Sequence, residues 1–127
     1  MKVEHINHLV LTVKDIDETC NFYSEVLGME VEEFTPRKKA LRFGNQSLSL
    51  RQKGRGFDLE ADKPTPGSLD IGFTVVEPIE QIKAELESRN IAIEGLVERR
   101  NAAGKTTSIY FRDPDRNLIE VSNYIAH

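Results

Sequence analysis

The chain has 127 residues, 39% of them hydrophobic and 30% charged, with a formal net charge of −4 and a single cysteine. That length holds one domain with a real core, and that composition excludes a disordered chain. An acidic balance without a basic stripe argues against nucleic acid as a partner, the lone Cys20 excludes an intrachain disulfide framework, and the lack of a long apolar segment predicts no signal peptide and no membrane span, hence a cytoplasmic protein.

Residues 6–13 predict the first strand. Leu9, Leu11 and Val13 make its apolar face, and His8, Val10 and Thr12 the other. Asp15 or Asp17 caps a helix that runs to about Leu27, with Ile16, Cys20, Tyr23, Val26 and Leu27 as its buried stripe and Gly28 as its stop. Cys20 is read as core filler, because spacing places no base or cation beside it. Three strands follow at roughly 29–34, 39–44 and 47–52, with turns at Thr35-Pro36-Arg37 and Gly44-Asn45-Gln46. In the second of these, Leu41 and Phe43 share a face and leave Ala40 and Arg42 on the other. In the third, Leu48 and Leu50 share a face and leave Ser49 and Arg51.

Residues 53–67, with Phe57 and Leu59 as their only sizeable apolar residues, read as the crossover between two halves or as a flexible lid. A strand at 69–75 then turns Leu69, Ile71, Phe73 and Val75 one way and Asp70, Gly72 and Thr74 the other. A helix at about 78–89 starts on Pro78, buries Ile79, Ile82 and Leu86, and ends at Asn90 in the left-handed region. Strands near 91–99 and 105–112 follow, joined through Ala102-Ala103-Gly104. Asp113-Pro114-Asp115-Arg116-Asn117 is strong turn chemistry. The last strand after it sets Leu118 and Glu120 on one face and Ile119 and Val121 on the other. Glu120 is then either a carboxylate on a solvated face, or a metal ligand or general base.

The halves repeat. With His8 laid over Asp70, Thr12-Val13 falls on Thr74-Val75 and Gly28 on Asn90; further on the offset grows, Leu41-Arg42-Phe43 lies over Ile109-Tyr110-Phe111, and Leu48-Ser49-Leu50 then matches Ile119-Glu120-Val121. The chain reads as α+β: two βαβββ modules, about 1–60 and 61–127, in a single domain. If its eight strands curl into one concave surface, His8, Asp70 and Glu120 converge there. One imidazole and two carboxylates suit a divalent cation such as Mn²⁺, Zn²⁺ or Ni²⁺. His5 reads as an exposed terminal residue and His127 as a mobile one.

His8-Leu-Val-Leu-Thr-Val13, Phe22-Tyr23, Val26-Leu27-Gly28-Met29, Gly67-Ser68-Leu69-Asp70-Ile71 and the run from Phe111 to Tyr124 resemble the vicinal oxygen chelate superfamily of glyoxalases, bleomycin-resistance proteins and dioxygenases. The likeness spans nearly the whole chain and is greatest to the single-module glyoxalase-domain-containing protein 5 type. It implies a cupped eight-stranded mixed sheet of paired βαβββ modules around one divalent metal, in a homodimer whose metal site lies between chains. The ligand positions it implies are His8, Ser49, Asp70 and Glu120. Asp70 stands where a histidine is usual. Ser49 stands where a carboxylate or amide is usual, and a neutral hydroxyl is a poor ligand.

Three functions compete. The first is a lactoylglutathione lyase-like enzyme, a lyase or isomerase on a small oxygenated substrate such as a thiol adduct of an aldehyde. There the metal acts as a Lewis acid and Glu120 as ligand and base. Arg42 and Arg51 bind substrate carboxylates or are plain surface charge, and Tyr110 hydrogen-bonds substrate or packs. The second is a small-molecule-binding protein without catalysis, and the third a fosfomycin-type thiol transferase.

Overall fold

The fold is described from a computed structural model, in which residues 1–54, 59–102 and 104–124 are described. The expectations for Phe57, Ala103 and His127 lie outside them. The elements are β1 (Leu9–Val13), α1 (Ile16–Leu27), β2 (Glu30–Thr35), β3 (Lys38–Phe43), β4 (Gln46–Gln52), β5 (Asp70–Val75), α2 (Ile79–Ser88), β6 (Gly95–Asn101), β7 (Gly104–Arg112) and β8 (Leu118–Tyr124). This is the α+β class with two βαβββ modules. The strands bond as two four-stranded mixed sheets, one per module, ordered β1-β4-β3-β2 and β5-β8-β7-β6. In each, the first and last strands of the module pair in parallel and the others antiparallel. The chain divides into two compact units, Met1–Gly67 and Ser68–His127.

In the first unit, α1 begins because the Asp15 carboxylate accepts from Glu18 N at 3.0 Å, and Asp17 and Glu18 put negative charge at the positive end of the helix. It ends because Gly28 takes φ 67°, which lets the Gly28 and Met29 N–H groups both turn back to Tyr23 O. The face it buries carries Ile16, Thr19, Cys20 and Tyr23, and it packs on β2, β3 and β4. Opposite it, Leu11, Val13, Leu41, Leu48 and Leu50 are buried, as the alternation marks, whereas Leu9 at the strand's start is exposed and Ala40, on the other face of β3, is buried as well. Cys20 is buried, and that burial pushes its thiol up, as befits core filler.

In the second unit, Ile109, Phe111, Ile119 and Val121 supply the sheet side of the core, and Ile79 and Leu86 the helix side. Pro78 stands at the cap position of α2, just before its first turn, and Asn90 has φ 58°.

Two strands start later than the sequence predicts. β1 begins at Leu9, and Ile6 and His8 before it are exposed. β6 begins at Gly95, because Ile91 N is held by Leu86 O at the end of α2. The chain reaches the sheet only where Glu94 N meets Tyr110 O at 2.8 Å.

Candidate functional site

The turn before β8 sets the geometry of the second unit. The Asp113 carboxylate accepts from the backbone N–H of Asp115 and of Asn117, both at 2.9 Å, and from Asn117 Nδ2 at 2.8 Å. Asn117 Oδ1 in turn accepts from Leu69 N at 2.8 Å, and Leu118 N donates to Leu69 O at 3.0 Å. Asp113 and Asn117 are both buried, so these bonds form away from water, where an unmade one is costly. The pair ties the start of β5 to the start of β8 in one register: Asp70 opposite Leu118 and Gly72 opposite Glu120. Asp70 and Glu120 therefore lie diagonally on one face of neighbouring strands. Asp70 is exposed and Glu120 half-buried.

Glu120 has polar company. Tyr110 on β7 is directly across from it, and the same face brings Ser108 and Ser122. Both serine hydroxyls lie 3.0 Å from Glu120 Oε2 and 2.6 Å from each other. Two hydroxyl protons serve these three contacts, so at least one donates to the carboxylate. Burial pushes the Glu120 carboxyl up. Hydrogen bonds from Tyr110, Ser108 and Ser122, together with the Arg99 charge, outweigh that and hold it below the usual carboxylate range. Arg99 also donates to the Tyr110 hydroxyl at 3.5 Å. Gly72 leaves the space beside the carboxylate open; a Cβ there would lie 3.8 Å from Glu120 Cβ. The result is a half-buried carboxylate whose charged form is favoured by its hydrogen bonds, with a second carboxylate on the same face.

In the first unit, Ser49 pairs with Val10 of β1 and Ala40 of β3, matching the Glu120–Gly72 pairing in the second. Ser49 and Arg51 are half-buried and line one cleft with His8. His8 Nδ1 lies 2.7 Å from Asn7 Oδ1. In the tautomer that donates there, Nε2 keeps its lone pair and can bind a metal. Arg42 does not join the cleft. It shares the face of Ser49 and Arg51, but its guanidinium is taken by the Glu32 carboxylate.

Each unit thus gathers part of the expected set: His8, Ser49 and Arg51 in one, Asp70, Tyr110 and Glu120 in the other. Among the described residues no three His, Cys, Asp or Glu side chains are grouped to hold a metal ion. The donor types still suit a divalent cation, since a histidine nitrogen and two carboxylates, one held ionised, are the chemistry such ions take. Sequence reading passed over Ser108, Ser122 and Arg99. Alternation along β7 and β8 puts the serines on the faces of Tyr110 and Glu120, and that was the available signal. No helix among the described residues is long and apolar enough to cross a membrane.

Comparison with known proteins agrees with this fold. The chain is 48% identical over 126 residues to virulence protein STM3117 of Salmonella typhimurium, covering 98% of this chain and 88% of that one. The crystal structure of that protein superposes with a TM-score of 0.87, covering 98% of this chain and 100% of that one. The glyoxalase domain-containing protein RDO1 of Mycosarcoma maydis is 44% identical over 98% of this chain and 70% of its own length. The structure of a lactoylglutathione lyase from Agrobacterium tumefaciens is similar at TM-score 0.73 and 25% identity, covering 97% of this chain and 96% of that one. The profile of the Glyoxalase/Bleomycin resistance protein/Dioxygenase superfamily matches residues 5–121, and with these two βαβββ modules and their sheet order the chain belongs to that superfamily.

Proposed function

We propose that the chain is a glyoxalase-like, metal-dependent lyase or isomerase acting on a small oxygenated substrate, with a divalent ion held by Glu120, Asp70 and His8. The observation that carries this reading is Glu120, a half-buried carboxylate held ionised by Ser108, Ser122 and Tyr110. A strand carboxylate on a merely solvated face has no need of three hydroxyl donors. A bound divalent ion would supply a Lewis acid to polarise a substrate carbonyl. The chain's own part is to favour the charge on Glu120 that an ion would take and to orient the carboxylate through Ser108, Ser122 and Tyr110, the last of which Arg99 steadies in turn. In this reading the ligand set is completed at a contact between two copies of the chain, in a homodimer.

The test is elemental analysis of the purified protein, followed by an assay with the hemithioacetal of methylglyoxal and glutathione. Stoichiometric Zn, Ni or Mn with turnover of this thiol adduct supports the reading. A second reading, a small-molecule-binding protein without catalysis, is favoured by Ser49. A neutral hydroxyl stands there beside Arg51, on the face where a fourth metal ligand would sit. A metal-free protein that still binds small molecules would establish the second reading over the first.

A further inference from the structure

We infer that Gly72 is a specificity-determining position: it leaves β5 bare beside Glu120, and the size of residue 72 sets how bulky a group Glu120 can bind. This rests on the proposed function for taking Glu120 as the residue that binds, and it adds what limits the size of the ligand.

Glycine is a poor residue for the middle of a strand. It loses more conformational freedom on folding than any other residue and offers no side chain to pack. A strand keeps one for a backbone reason, for a packing reason, or because something approaches the chain closely. The backbone reason is absent at Gly72. Its φ is not positive, whereas Gly28, Gly44, Gly54, Gly67 and Gly104 all have positive φ. β5 also runs through it in unshifted register, from Asp70 opposite Leu118 to Val75 opposite Asn123, so no bulge calls for it. The packing reason is absent as well. A Cβ at position 72 would meet Glu120 Cβ at 3.8 Å and Glu120 Cδ and O at 3.9 Å, which are ordinary van der Waals distances.

Gly95 on β6 makes the contrast. Register sets Gly72, Glu120, Tyr110 and Gly95 in one row across the sheet, with a glycine at each end. At Gly95 a Cβ would lie 3.5 Å from Tyr110 Cδ2, so the tyrosine ring already covers that glycine, and Gly95 is half-buried. Gly72 is exposed. It also sits between the two carboxylates of the site, two residues after Asp70 on the same face of β5 and directly opposite Glu120. A side chain there would stand against both. Close approach of the group that Glu120 binds is the reason that remains.

The test is Gly72→Val, with Zn²⁺ as the probe. Chelator-treated parent and variant are titrated by calorimetry, and each is also unfolded in urea and sized by light scattering. Valine is favoured in strands, so the urea midpoint should hold or rise, while Zn²⁺ affinity should fall by about tenfold or more. Gly72→Ala should lose less, and a loss as large as that of valine overturns the dependence on size. If Gly72→Val does not fold, Gly72→Thr takes its place. Equal Zn²⁺ affinity in parent and variant overturns the inference. A lower urea midpoint, or failure of both variants to fold, overturns it by making the glycine a structural need. A changed oligomeric state overturns it by making Gly72 a contact for another copy of the chain. A parent that takes up no Zn²⁺, Ni²⁺ or Mn²⁺ overturns the metal reading alone. Broadening of the Glu120 side-chain NMR signals by a neutral gadolinium chelate then decides for Gly72. Weaker broadening in Gly72→Val than in the parent supports the open space beside Glu120, and equal broadening overturns it.

Discussion

Asn117→Ala should be the most damaging single change outside the apolar core. The substitution deletes the Nδ2 bond to Asp113 Oδ2 and the Oδ1 acceptor of Leu69 N, both 2.8 Å bonds. Asn117 has no exposed surface, so water does not replace what is lost. Leaving a buried donor or acceptor unmet costs about 1–3 kcal/mol each, so the loss should be roughly 2–6 kcal/mol. That is a large part of the ~5–15 kcal/mol that holds a typical domain together. At about 4 °C per kcal/mol for a domain of this size, Tm should fall by roughly 8–24 °C. The assay is urea unfolding followed by circular dichroism, with Asn45→Ala in the exposed β3–β4 turn as control. Metal affinity should fall with stability, because the bond to Leu69 aligns Asp70 with Glu120. A stability loss below about 1 kcal/mol, within the range of ordinary surface changes, would show that these bonds do not tie β5 to β8.

Ser108→Ala removes one donor from Glu120, so its carboxyl should titrate higher than in the parent, read by NMR of the carboxyl carbon. A folded-state value held low contributes stability above the ordinary carboxylate range and loses it as pH falls through that value, so acid unfolding of Ser108→Ala should begin at higher pH. An unchanged titration would mean the hydroxyl does not stabilise the charge. Ser49→Glu should bind Ni²⁺ or Zn²⁺ more tightly by calorimetry, with a gain limited by Arg51 two residues away on the same face. No change, with the fold kept, would show that Ser49 does not face the metal. Light scattering at micromolar concentration should give twice the 14.4 kDa of one chain, and a metal-loaded monomer would contradict the dimer.

The elements were legible where one residue decides locally. Asp15 and Gly28 end α1 by their own side-chain and backbone chemistry, and alternation put Leu41, Leu48, Leu50, Ile119 and Val121 on the buried faces. Legibility failed where a distant partner decides. Ile91 and Ile93 alternate as a strand would, but the backbone there is tied to the end of α2. Parity set Arg42 on the face of Ser49, yet its charge is taken by Glu32, across a pairing no local pattern marks. Ser108, Ser122 and Arg99 carry no signal as isolated strand residues, and matter only once register sets them around Glu120. The Asp113–Asn117 run was legible as a turn. Its second task, holding Leu69, depends on a bond across 48 residues.

The central claim is that Glu120 is kept ionised in order to hold a divalent ion, and Glu120→Gln tests it most directly. Glutamine keeps the shape of the side chain and removes its charge, while Ile119 and Val121 keep β8 packed. Calorimetric titration of the parent and the variant with Zn²⁺ or Ni²⁺ should show affinity weakened by about tenfold or more, with unfolding little changed. Equal affinity in the two proteins would contradict the claim and return Glu120 to the solvated face of its strand.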